Sequence, residues 1–419
     1  MPLLLAATVV SGLAGYVVTW RVFVEAGAAG YGVFSVFWSA LFLVVGVLFG
    51  VQQEATRAVA QTDPGSLADP RTPGPRTSLA TFAPALAAVV VLVVLATSPL
   101  WAPSGLGPAN AGLAWFVAVG AGFNCLVAAA SGILAGAGLW RQLAAIISLD
   151  GILRVVFVLV ALAAGGPLWL LALAVILPFP LSLLAVVASA PRRILGRVTV
   201  SESFGSLAAN TGRTMLAASA TAVLINGFPL VLSFFATGSG HAGLGSLVLA
   251  VTLTRAPILV PLTALSSFLV SRFTHHPEQV ARTLTAIMAG IAALAAVMCL
   301  CAYLFGLPVM KAVFGPQFDL APGALTALVG SAALIGALSV SGAAVLARGK
   351  HGMYAAGWVA ASVITLALLF LPLPLAPRAA LALAAGPAVG VAIHLFALRA
   401  GSRDRSGALS AVPTEGDPR

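Results

Sequence analysis

The chain has 419 residues, of which 60% are hydrophobic and only 8% are charged. Soluble domains carry about 25% charged residues, so this composition excludes a soluble globular protein and indicates a chain that crosses a membrane many times. The net charge of +10 is carried by basic residues in short segments between apolar runs, which favours a topology signal over a nucleic-acid-binding surface.

The apolar runs predict twelve membrane-spanning helices, because a helix needs about 20 apolar residues to cross the hydrocarbon. The first run lacks a basic leader and continues past Arg21 into a second run, so we predict a retained first helix, not a signal peptide. We therefore expect an all-α integral membrane protein. In chain order, the predicted spans are 3–24, 30–51, 79–100, 110–137, 142–164, 168–189, 205–236, 244–270, 283–306, 321–347, 352–374 and 379–398.

The basic residues between these spans predict the orientation, because cytoplasmic loops carry an excess of Lys and Arg. With the N-terminus in the cytoplasm, the outer loops hold only Lys311 and Arg378. We predict a multi-pass plasma (inner) membrane protein with both termini in the cytoplasm. The inner loops and the tail then hold Arg57, Arg71, Arg76, Arg141, Arg192, Arg193, Arg197, Arg272, Arg282, Arg348, Lys350, Arg399, Arg403, Arg405 and Arg419.

The short outer loops disfavour an enzyme that assembles envelope glycans outside the cell, because such enzymes usually need a large outer loop or domain. The longest predicted outer loop, 307–320, leaves no room for a catalytic domain. A GxxxxGK phosphate-binding loop is also absent from the sequence, so the chain does not hydrolyse ATP itself. The "HHPE" sequence at 275–278 has no third ligand nearby. We therefore predict a protein that is not an enzyme and that holds no metal and no cofactor.

Two halves of similar pattern flank the basic segment 190–204. At an offset of about 211 residues, "AAGYGVFS" (28–35) aligns with "SGHAGLGS" (239–246). With a one-residue gap, "SGILAGAGLWRQLAA" (131–145) aligns with "SGAAVLARGKHGMYAA" (341–356). A six-span repeat keeps its orientation, so the halves should be related by a pseudo-twofold axis along the membrane normal, as in many alternating-access transporters. The predicted division is a six-helix lobe over 1–189, a cytoplasmic linker over 190–204, a second six-helix lobe over 205–398 and a disordered cytoplasmic tail over 399–419.

The segment "EAGAAGYGVFSVFWSALFLVVGVLFGVQQEATRAVA" (25–60) resembles the polysaccharide-unit flippases of the multidrug/oligosaccharidyl-lipid/polysaccharide exporter (MOP) superfamily. The segment "VTLTRAPILVPLTALSSFLVSRFT" (251–274) is similar to the eighth span of its actinobacterial members. The lipid II flippases of the superfamily usually have fourteen spans and fit less well. The residues in the positions of the family's first outer turn and second span are Gly27, Gly30, Tyr31, Gly32, Phe34 and Ser35.

This resemblance implies a V-shaped, MATE-like pair of lobes. It also implies a function in cell-envelope polysaccharide biosynthesis, in which a polyprenyl-diphosphate-linked oligosaccharide moves from the inner to the outer leaflet. The partners would then be that lipid-linked substrate, the membrane lipids, and glycosyltransferases or a polymerase of the same pathway, with no nucleic acid.

Charged residues inside the spans allow two interpretations. Asp150 and Arg154 are four residues apart, so they share one face of the fifth helix. In the structural interpretation they pair with each other, while Arg21 and Arg213 reach the headgroups. In the functional one, these three arginines and Arg255 line a cavity for a diphosphate, which the guanidinium fork binds in a bidentate manner. Arg255, in the middle of the eighth span, is the best single candidate for substrate binding.

The sign of these charges favours an anionic cargo. Drug antiporters of the superfamily place carboxylates in the first lobe, whereas here Asp150 is the only carboxylate at mid-membrane depth and has an arginine one turn away. If transport is coupled to H⁺ or Na⁺, Asp150 is the only plausible acidic site. A cation-coupled drug or metabolite antiporter, a membrane enzyme of glycan assembly and a transport-dead scaffold stay open as alternatives.

Polar and aromatic residues within the spans suit contacts with a glycan. They also suit hydrogen bonds between helices and positions at the membrane interface. Prolines within the spans can kink helices beside a cavity, and those singled out are Pro229, Pro257 and Pro261. The candidates for sugar contact are Ser35, Asn124, Asn210 and Asn226, with Tyr31, Phe34, Trp38 and Trp358 for stacking.

Overall fold

The computed structural model describes residues 2–62, 75–191, 194, 196–236, 240–275 and 279–410, and nearly all of this chain is helical. Within it, ten stretches of helix are long and apolar enough to cross a membrane. The first stretch, Leu3–Gln61, has 59 residues and would be about 88 Å long, far more than one crossing needs. It is kinked at Gly27 (φ 70°, ψ 174°) and supplies two spans. With the 36-residue helix Gly240–His275, the predicted twelve spans are present.

The helices form two lobes in chain order. The first lobe contains α1 (Pro2–Gln61), α2 (Leu79–Leu106), α3 (Leu113–Gly136), α4 (Trp140–Ala163), α5 (Leu168–Ile176) and α6 (Pro178–Ser189). The second lobe contains α7 (Phe204–Ala222), α8 (Phe228–Ser233), α9 (Gly240–His275), α10 (Val280–Cys301), α11 (Leu307–Phe314), α12 (Pro322–Ala347), α13 (His351–Leu368) and α14 (Leu375–Ser410). A short 3₁₀ turn, Pro108–Asn110, lies between α2 and α3. We use "inner end" and "outer end" for the ends that carry the predicted inner and outer loops.

Two spans of the second lobe continue through prolines by means of π turns. The π turn Val223–Gly227 joins α7 to α8 and precedes Pro229, and the π turn Ala302–Gly306 joins α10 to α11 and precedes Pro308. A proline inside a helix lacks one N–H and clashes with the carbonyl four residues earlier, which a wider turn relieves. The ninth span therefore extends to Phe314, and the predicted loop over 307–320 was wrong in its first part, which is helical.

The two lobes repeat the same turns, which confirms the predicted internal repeat. Glycines that adopt the left-handed region, where other residues are strained, lie at equivalent turns of the two lobes. Gly138 and Gly349 are separated by the 211 residues that align the two halves of the sequence (349 − 138 = 211). The three equivalent pairs are Gly27 and Gly240 (φ 70° and 62°), Gly107 and Gly315 (φ 82° and 89°), and Gly138 and Gly349 (both φ 70°).

Small residues bring the helices of each lobe into close contact, as is usual in lipid. In the first lobe, a Cβ atom at Gly132 would lie 2.7 Å from the Gln52 carbonyl oxygen on α1. In the second lobe, a Cβ atom at Gly390 would lie 2.6 Å from the Gly357 carbonyl oxygen on α13. Helix α1 packs against α3, α4, α7 and α9, so it belongs to the core of one lobe and also faces the other.

The predicted linker is attached to the first lobe at the inner end. Strand β1 (Thr77–Ser78) pairs antiparallel with β2 (Thr199–Val200) in the linker, with Thr77 opposite Val200. The Arg57 guanidinium bonds to the Glu54 carboxylate at 2.5 Å and to the Glu202 carboxylate at 2.6 Å. This ion-pair cluster and the short ladder connect the start of the second lobe to α1.

Some sequence predictions fall at or beyond the limits of the described chain. The last helix runs to Ser410, so residues 399–410 continue this helix, where a disordered tail was predicted. Residues 411–419 lie outside the described residues, as do Arg71, Arg192, Arg193 and positions 276–278 of the "HHPE" sequence.

A candidate substrate cavity between the lobes

A cavity of about 190 Å³ lies between the lobes at mid-depth. The kink of α1 brings its two spans to the same wall, and helical spacing places the contributing side chains of each span on one face. The opposite wall comes from the π turn after α7, from Pro229 and from the outer half of α9. The lining residues are Tyr16, Thr19, Tyr31, Phe34, Ser35, Trp38, Ser39, Phe42, Ile225, Asn226, Pro229, Val248, Val251, Thr252 and Arg255.

A second cavity of about 380 Å³ continues from the first toward the inner end. Both cavities are lined by Ile225 and Asn226, so they adjoin, and we call the two together the interlobe cleft. The other residues of this inner part are Val45, Gly46, Phe49, Gln53, Ala217, Ala218, Thr221, Ala222 and Tyr354.

The outer end of the cleft is closed by backbone contacts between the lobes. A Cβ atom at Gly32 would lie 2.2 Å from the carbonyl oxygen of His241, and one at Gly245 would lie 2.1 Å from that of Ala28. Both distances are shorter than any real contact of a Cβ atom, so only glycine allows this approach. These contacts form what we call the outer seam. The cleft is therefore closed at its outer end and hollow toward its inner end.

Arg255 is the cation of this cleft. Its side chain is buried, and the guanidinium carbon lies 5.6 Å from the centre of the Phe228 ring. Its Nη1 is 3.5 Å and 3.4 Å from the carbonyl oxygens of Leu224 and Ile225, longer than an ordinary hydrogen bond. Its Nε and Nη2 atoms are buried and have no hydrogen-bond partner among the described residues. Two strong donors in the wall of a cavity are therefore unused.

Arg154 is satisfied within the first lobe. Its Nη2 donates to both carboxylate oxygens of Asp150 at 2.7 Å, and its Nε donates to the Val175 carbonyl oxygen at 3.2 Å. The side chain does not line the cleft and lies behind its aromatic wall. Three rings surround the guanidinium carbon, those of Trp38, Phe42 and Phe179, at 5.9, 5.3 and 5.0 Å. The carboxylate of Asp150, the predicted site for a coupling ion, is thus already engaged by Arg154.

The two remaining arginines lie apart from the cleft. Arg21 pairs with Glu25 at 2.5 Å near the outer end of the first span, and both side chains are substantially exposed. Arg213 is exposed on the inner half of α7. Of the four predicted substrate-binding arginines, the structure therefore places only Arg255 in the wall of the cleft.

The glycan-contact candidates divide in a similar way. Those that line the cleft are Ser35, Asn226, Tyr31, Phe34 and Trp38, together with the predicted cavity-side proline Pro229. Asn124 is buried in the first lobe, Trp358 is buried in the second, and Asn210 lies near the inner end of α7. Sequence reasoning missed Tyr16, Thr19 and Thr252. The signal for Thr252 is its position three residues before Arg255, on the same helix face.

Comparison with known proteins shows relatives over nearly the whole chain. The uncharacterized protein Rv3630 of Mycobacterium tuberculosis (strain ATCC 25618 / H37Rv) is 34% identical over 392 residues, which cover 94% of this chain and 90% of that protein. The uncharacterized protein Rv1510 of the same strain is 32% identical over 397 residues, with the same two coverages. No protein-family model matches the chain.

Solved structures show the fold. A multidrug resistance MATE family transporter of the MOP superfamily in its inward-facing conformation matches with a TM-score of 0.73 and 15% identity, over 97% of this chain and 96% of that one. An outward-facing MATE structure matches with a TM-score of 0.64 and 15% identity, over 98% and 96% of the two chains. A Pyrococcus furiosus MOP superfamily transporter, whose binding pocket is described as having reverse polarity, matches with a TM-score of 0.62 and 18% identity, over 98% and 95%.

From the extent and identity of the mycobacterial matches, the chain belongs to the same family as Rv3630 and Rv1510, and it has the fold of the MOP superfamily transporters.

Proposed function

We propose that this protein is a flippase that moves a polyprenyl-diphosphate-linked oligosaccharide from the inner to the outer leaflet of the plasma membrane. The single observation that carries the proposal is Arg255, a buried cation with unused donors in the wall of the interlobe cleft. In this proposal both termini face the cytoplasm, as the basic loops predict, and the lobes rock about the cleft.

An unpaired arginine at mid-membrane depth is costly, so its retention there indicates a ligand that compensates it. A diphosphate suits the site for two reasons. Its oxygens accept bidentate, charge-assisted hydrogen bonds from a guanidinium group. Its negative charge also removes the cost of leaving the Arg255 cation buried without a partner. Neither reason applies to a cationic drug, which the same charge would repel.

The rest of the cleft suits a glycan. Tyr31, Phe34 and Trp38 present aromatic faces, while Ser35 and Asn226 add polar groups that can bond sugar hydroxyls. The larger inner part, which contains Gln53 and Thr221, continues from the position of Arg255 toward the inner end. A diphosphate held at Arg255 would leave the attached sugars in this hollow.

The prenyl chain would remain in the lipid. The inner half of the first span carries exposed apolar side chains, among them Leu5, Val9 and Leu13. A Cβ atom at Gly12 on this helix would meet no heavy atom within 4 Å. The same span lines the cleft through Tyr16 and Thr19. A helix with an apolar surface open to lipid and a face in the cleft is what a lipid-linked cargo needs if its head enters the protein while its tail does not.

The competing function, a cation-coupled drug antiporter, lacks a matching site in the described chain. No Asp or Glu is among the residues that line either part of the cleft. The carboxylate at mid-membrane depth, Asp150, accepts two hydrogen bonds from Arg154 inside the first lobe. A cation that entered the cleft would therefore meet Arg255 and find no opposite charge in the lining.

A transport assay tests the proposal directly. The purified protein is reconstituted in liposomes that contain a fluorescent polyprenyl-diphosphate disaccharide, and the fraction of probe exposed on each leaflet is followed by a membrane-impermeant quencher. We expect the probe to equilibrate between leaflets faster than in protein-free liposomes. A matched set of liposomes reports efflux of ethidium, a cationic drug analogue. Efflux of ethidium without movement of the lipid probe would overturn the proposal in favour of the antiporter.

A further inference from the structure

The second lobe contains a buried histidine that the proposed flippase site does not use. His394 lies on α14 with none of its surface exposed. Its Nδ1 is 3.0 Å from the Ser341 hydroxyl on α12, and its Nε2 is 3.2 Å from the Tyr354 carbonyl oxygen on α13. The imidazole and the Tyr354 ring are parallel, with centroids 6.2 Å apart. Three helices of the lobe therefore meet at this one side chain.

The surrounding backbone is shaped to hold the ring. A Cβ atom at Gly357 would lie 2.1 Å from His394 Nε2, and one at Gly342 would lie 3.4 Å from Cε1. Gly357 can therefore carry no side chain without displacing the imidazole. A histidine that only filled space would not need hydrogen bonds on both ring nitrogens as well as a glycine directly against the ring at position 357.

We propose that His394 is a proton-binding residue of the second lobe, through which proton uptake shifts the balance between the inward-facing and outward-facing states. This inference rests on the proposed transport function. It assigns the ion that is coupled to transport, and it replaces Asp150, whose carboxylate is engaged by Arg154. Histidine is suited to this task because it changes charge within the physiological pH range.

The hydrogen bonds allow both protonation states without leaving a polar atom unpaired. Since a carbonyl oxygen only accepts, Nε2 carries a proton and donates to Tyr354 in either state. In the neutral ring, Nδ1 accepts from the Ser341 hydroxyl. When a proton is taken up at Nδ1, the N–H donates to Ser341 Oγ, and the hydroxyl turns to the Leu338 carbonyl oxygen, which lies 3.1 Å away. The ring gains one positive charge, and one hydroxyl rotates.

Tyr354 connects this site to the interlobe cleft. It lines the inner part of the cleft, and its hydroxyl interacts with Thr221 on α7. Helix α7 in turn packs on α1 of the first lobe, where Thr214 donates to the Gly50 carbonyl oxygen at 2.9 Å. Water in the cleft can thus reach Tyr354, which contacts His394. A change at His394 acts through Tyr354 on α7, which packs on α1 of the first lobe.

The charges on the helices around the imidazole are basic, except for Asp404 near the far end of α14. Helices α12 and α13 are the elements that pack on α14, and α12 has no charged residue. The titratable or charged groups on or beside these elements are Tyr354 and His351 on α13, Lys350 and Arg348 in the turn before it, and, on α14, Arg378, Arg399, Arg403, Asp404 and Arg405. Lys350 and Arg348 bond to the carbonyl oxygens of Ala397 and Leu398. Asp404 is ten residues from His394, about 15 Å along the helix, so no neighbouring carboxylate in the described chain holds the imidazole in its charged form and the charge can leave again.

The test measures conformation without substrate, so that it is independent of the flippase assay. The full-length chain, with its three cysteines Cys125, Cys299 and Cys301 replaced by Ala, carries spin labels at Arg141→Cys and Gly352→Cys, exposed inner-end positions on opposite lobes. The distance between the labels is measured in lipid nanodiscs at pH 8 and at pH 5.5. We expect the ratio of the two populations to change by about tenfold or more, and we expect this change to be lost in His394→Gln.

Two further variants separate a proton site from a structural role. Ser341→Ala removes the acceptor of the Nδ1 proton, so the conformational transition should move to lower pH by about one unit while both states remain populated. Gly212→Ala, a helix position with open space around it, should keep the wild-type pH response. A wild-type distance that does not depend on pH, or a His394→Gln variant that keeps the wild-type response, would overturn the inference.

The histidine spectrum provides a check if His394→Gln folds poorly. When His241, His275, His276 and His351 are replaced by Gln, the chain labelled with ¹⁵N-histidine should show the His394 ring alone, and its Nδ1 signal should change most between pH 8 and pH 5.5. A resonance that stays fixed over this range contradicts proton uptake. If the lipid-linked probe does not move but the distances still respond to pH, the cargo assignment fails and the proton site stands.

Discussion

Arg154 and Arg255 are two arginines at similar depth in opposite lobes, and their surroundings differ in one respect that decides their roles. Both have aromatic rings within 6 Å of the guanidinium carbon, and both side chains are buried. Arg154 has a carboxylate at 2.7 Å, whereas Arg255 has none and keeps two donor nitrogens without a partner. One charge is neutralised inside its lobe, and the other faces the interlobe cleft.

A buried charge near mid-membrane is therefore not by itself a sign of a substrate site. Arg154, on α4, also bonds to the Val175 carbonyl oxygen on α5, so the Asp150–Arg154 pair holds these two helices together. Such a pair adds little net stability over apolar residues but is costly to disrupt on one side only. Removing Arg255 should not be costly in this way, because no partner charge is left behind. Its own buried charge needs a ligand to compensate it.

The largest effect on stability is expected for Arg154→Ala. This change leaves the Asp150 carboxylate buried without its partner, which should destabilise the fold by about 3–5 kcal/mol. The measurement is the thermal unfolding midpoint of the protein in detergent. The double variant Asp150→Leu with Arg154→Met, which removes both charges, should recover most of the loss. If Arg154→Ala is as stable as the wild type, the pair is not structural.

Arg255→Ala should have the reverse effect, since transport should fall while the unfolding midpoint stays close to that of the wild type. We expect movement of the fluorescent polyprenyl-diphosphate disaccharide to slow by about 10- to 100-fold, as for the loss of one or two charge-assisted hydrogen bonds. Arg255→Lys keeps the charge but not the fork, so its rate should lie in between. The control is Arg213→Ala, an exposed arginine of the same lobe, and equal rates for the two Ala variants would contradict the assignment.

The sequence predicts the fold better than the site. Spans are set by the length of apolar runs, and the repeat is visible because left-handed turns need glycine at fixed places, such as Gly138 and Gly349. The extension of the ninth span beyond Pro308 could not be read, because a π turn depends on packing and has no composition of its own. The sequence makes Arg255 the best candidate for substrate binding. Only the structure shows that Arg154 is paired and that Arg255 lines the cleft, because these contacts depend on which faces of the helices meet.

The sequence also cannot predict which polar side chains of the cleft are free to bind a ligand. Ser39 lies on the helix face of Ser35, yet it donates to the Asn226 carbonyl at 2.5 Å and accepts from the Leu230 N–H at 3.0 Å. It joins the lobes, so only part of it is available to a ligand. His394 was not predicted at all, because a single histidine in an apolar run carries no pattern, and its partners lie 40 and 53 residues away.

A smaller effect on the balance between the two states is expected from a change in the outer seam, which closes the outer end of the cleft that contains Arg255. Gly245→Ala would place a Cβ atom 2.1 Å from the Ala28 carbonyl oxygen, so the lobes must separate there at a cost of about 1–3 kcal/mol. In the spin-labelled protein the population should shift toward the state with a closed inner end. Gly212→Ala, which meets nothing within 4 Å, is the matched control. An unchanged distance distribution in Gly245→Ala would show that the seam does not set the equilibrium.

The smallest effect is expected for Arg21→Ala, although Arg21 has a short ion pair, as Arg154 does. The contact with Glu25 measures 2.5 Å, but the two side chains are 35% and 44% exposed. Exposed pairs one helical turn apart contribute about 0.3–0.5 kcal/mol, since water already solvates both charges. The unfolding midpoint and the transport rate should therefore stay within error of the wild type. A loss of transport comparable to that of Arg255→Ala would mean that an arginine outside the cleft binds cargo, and that the absence of a carboxylate partner does not identify the binding residue.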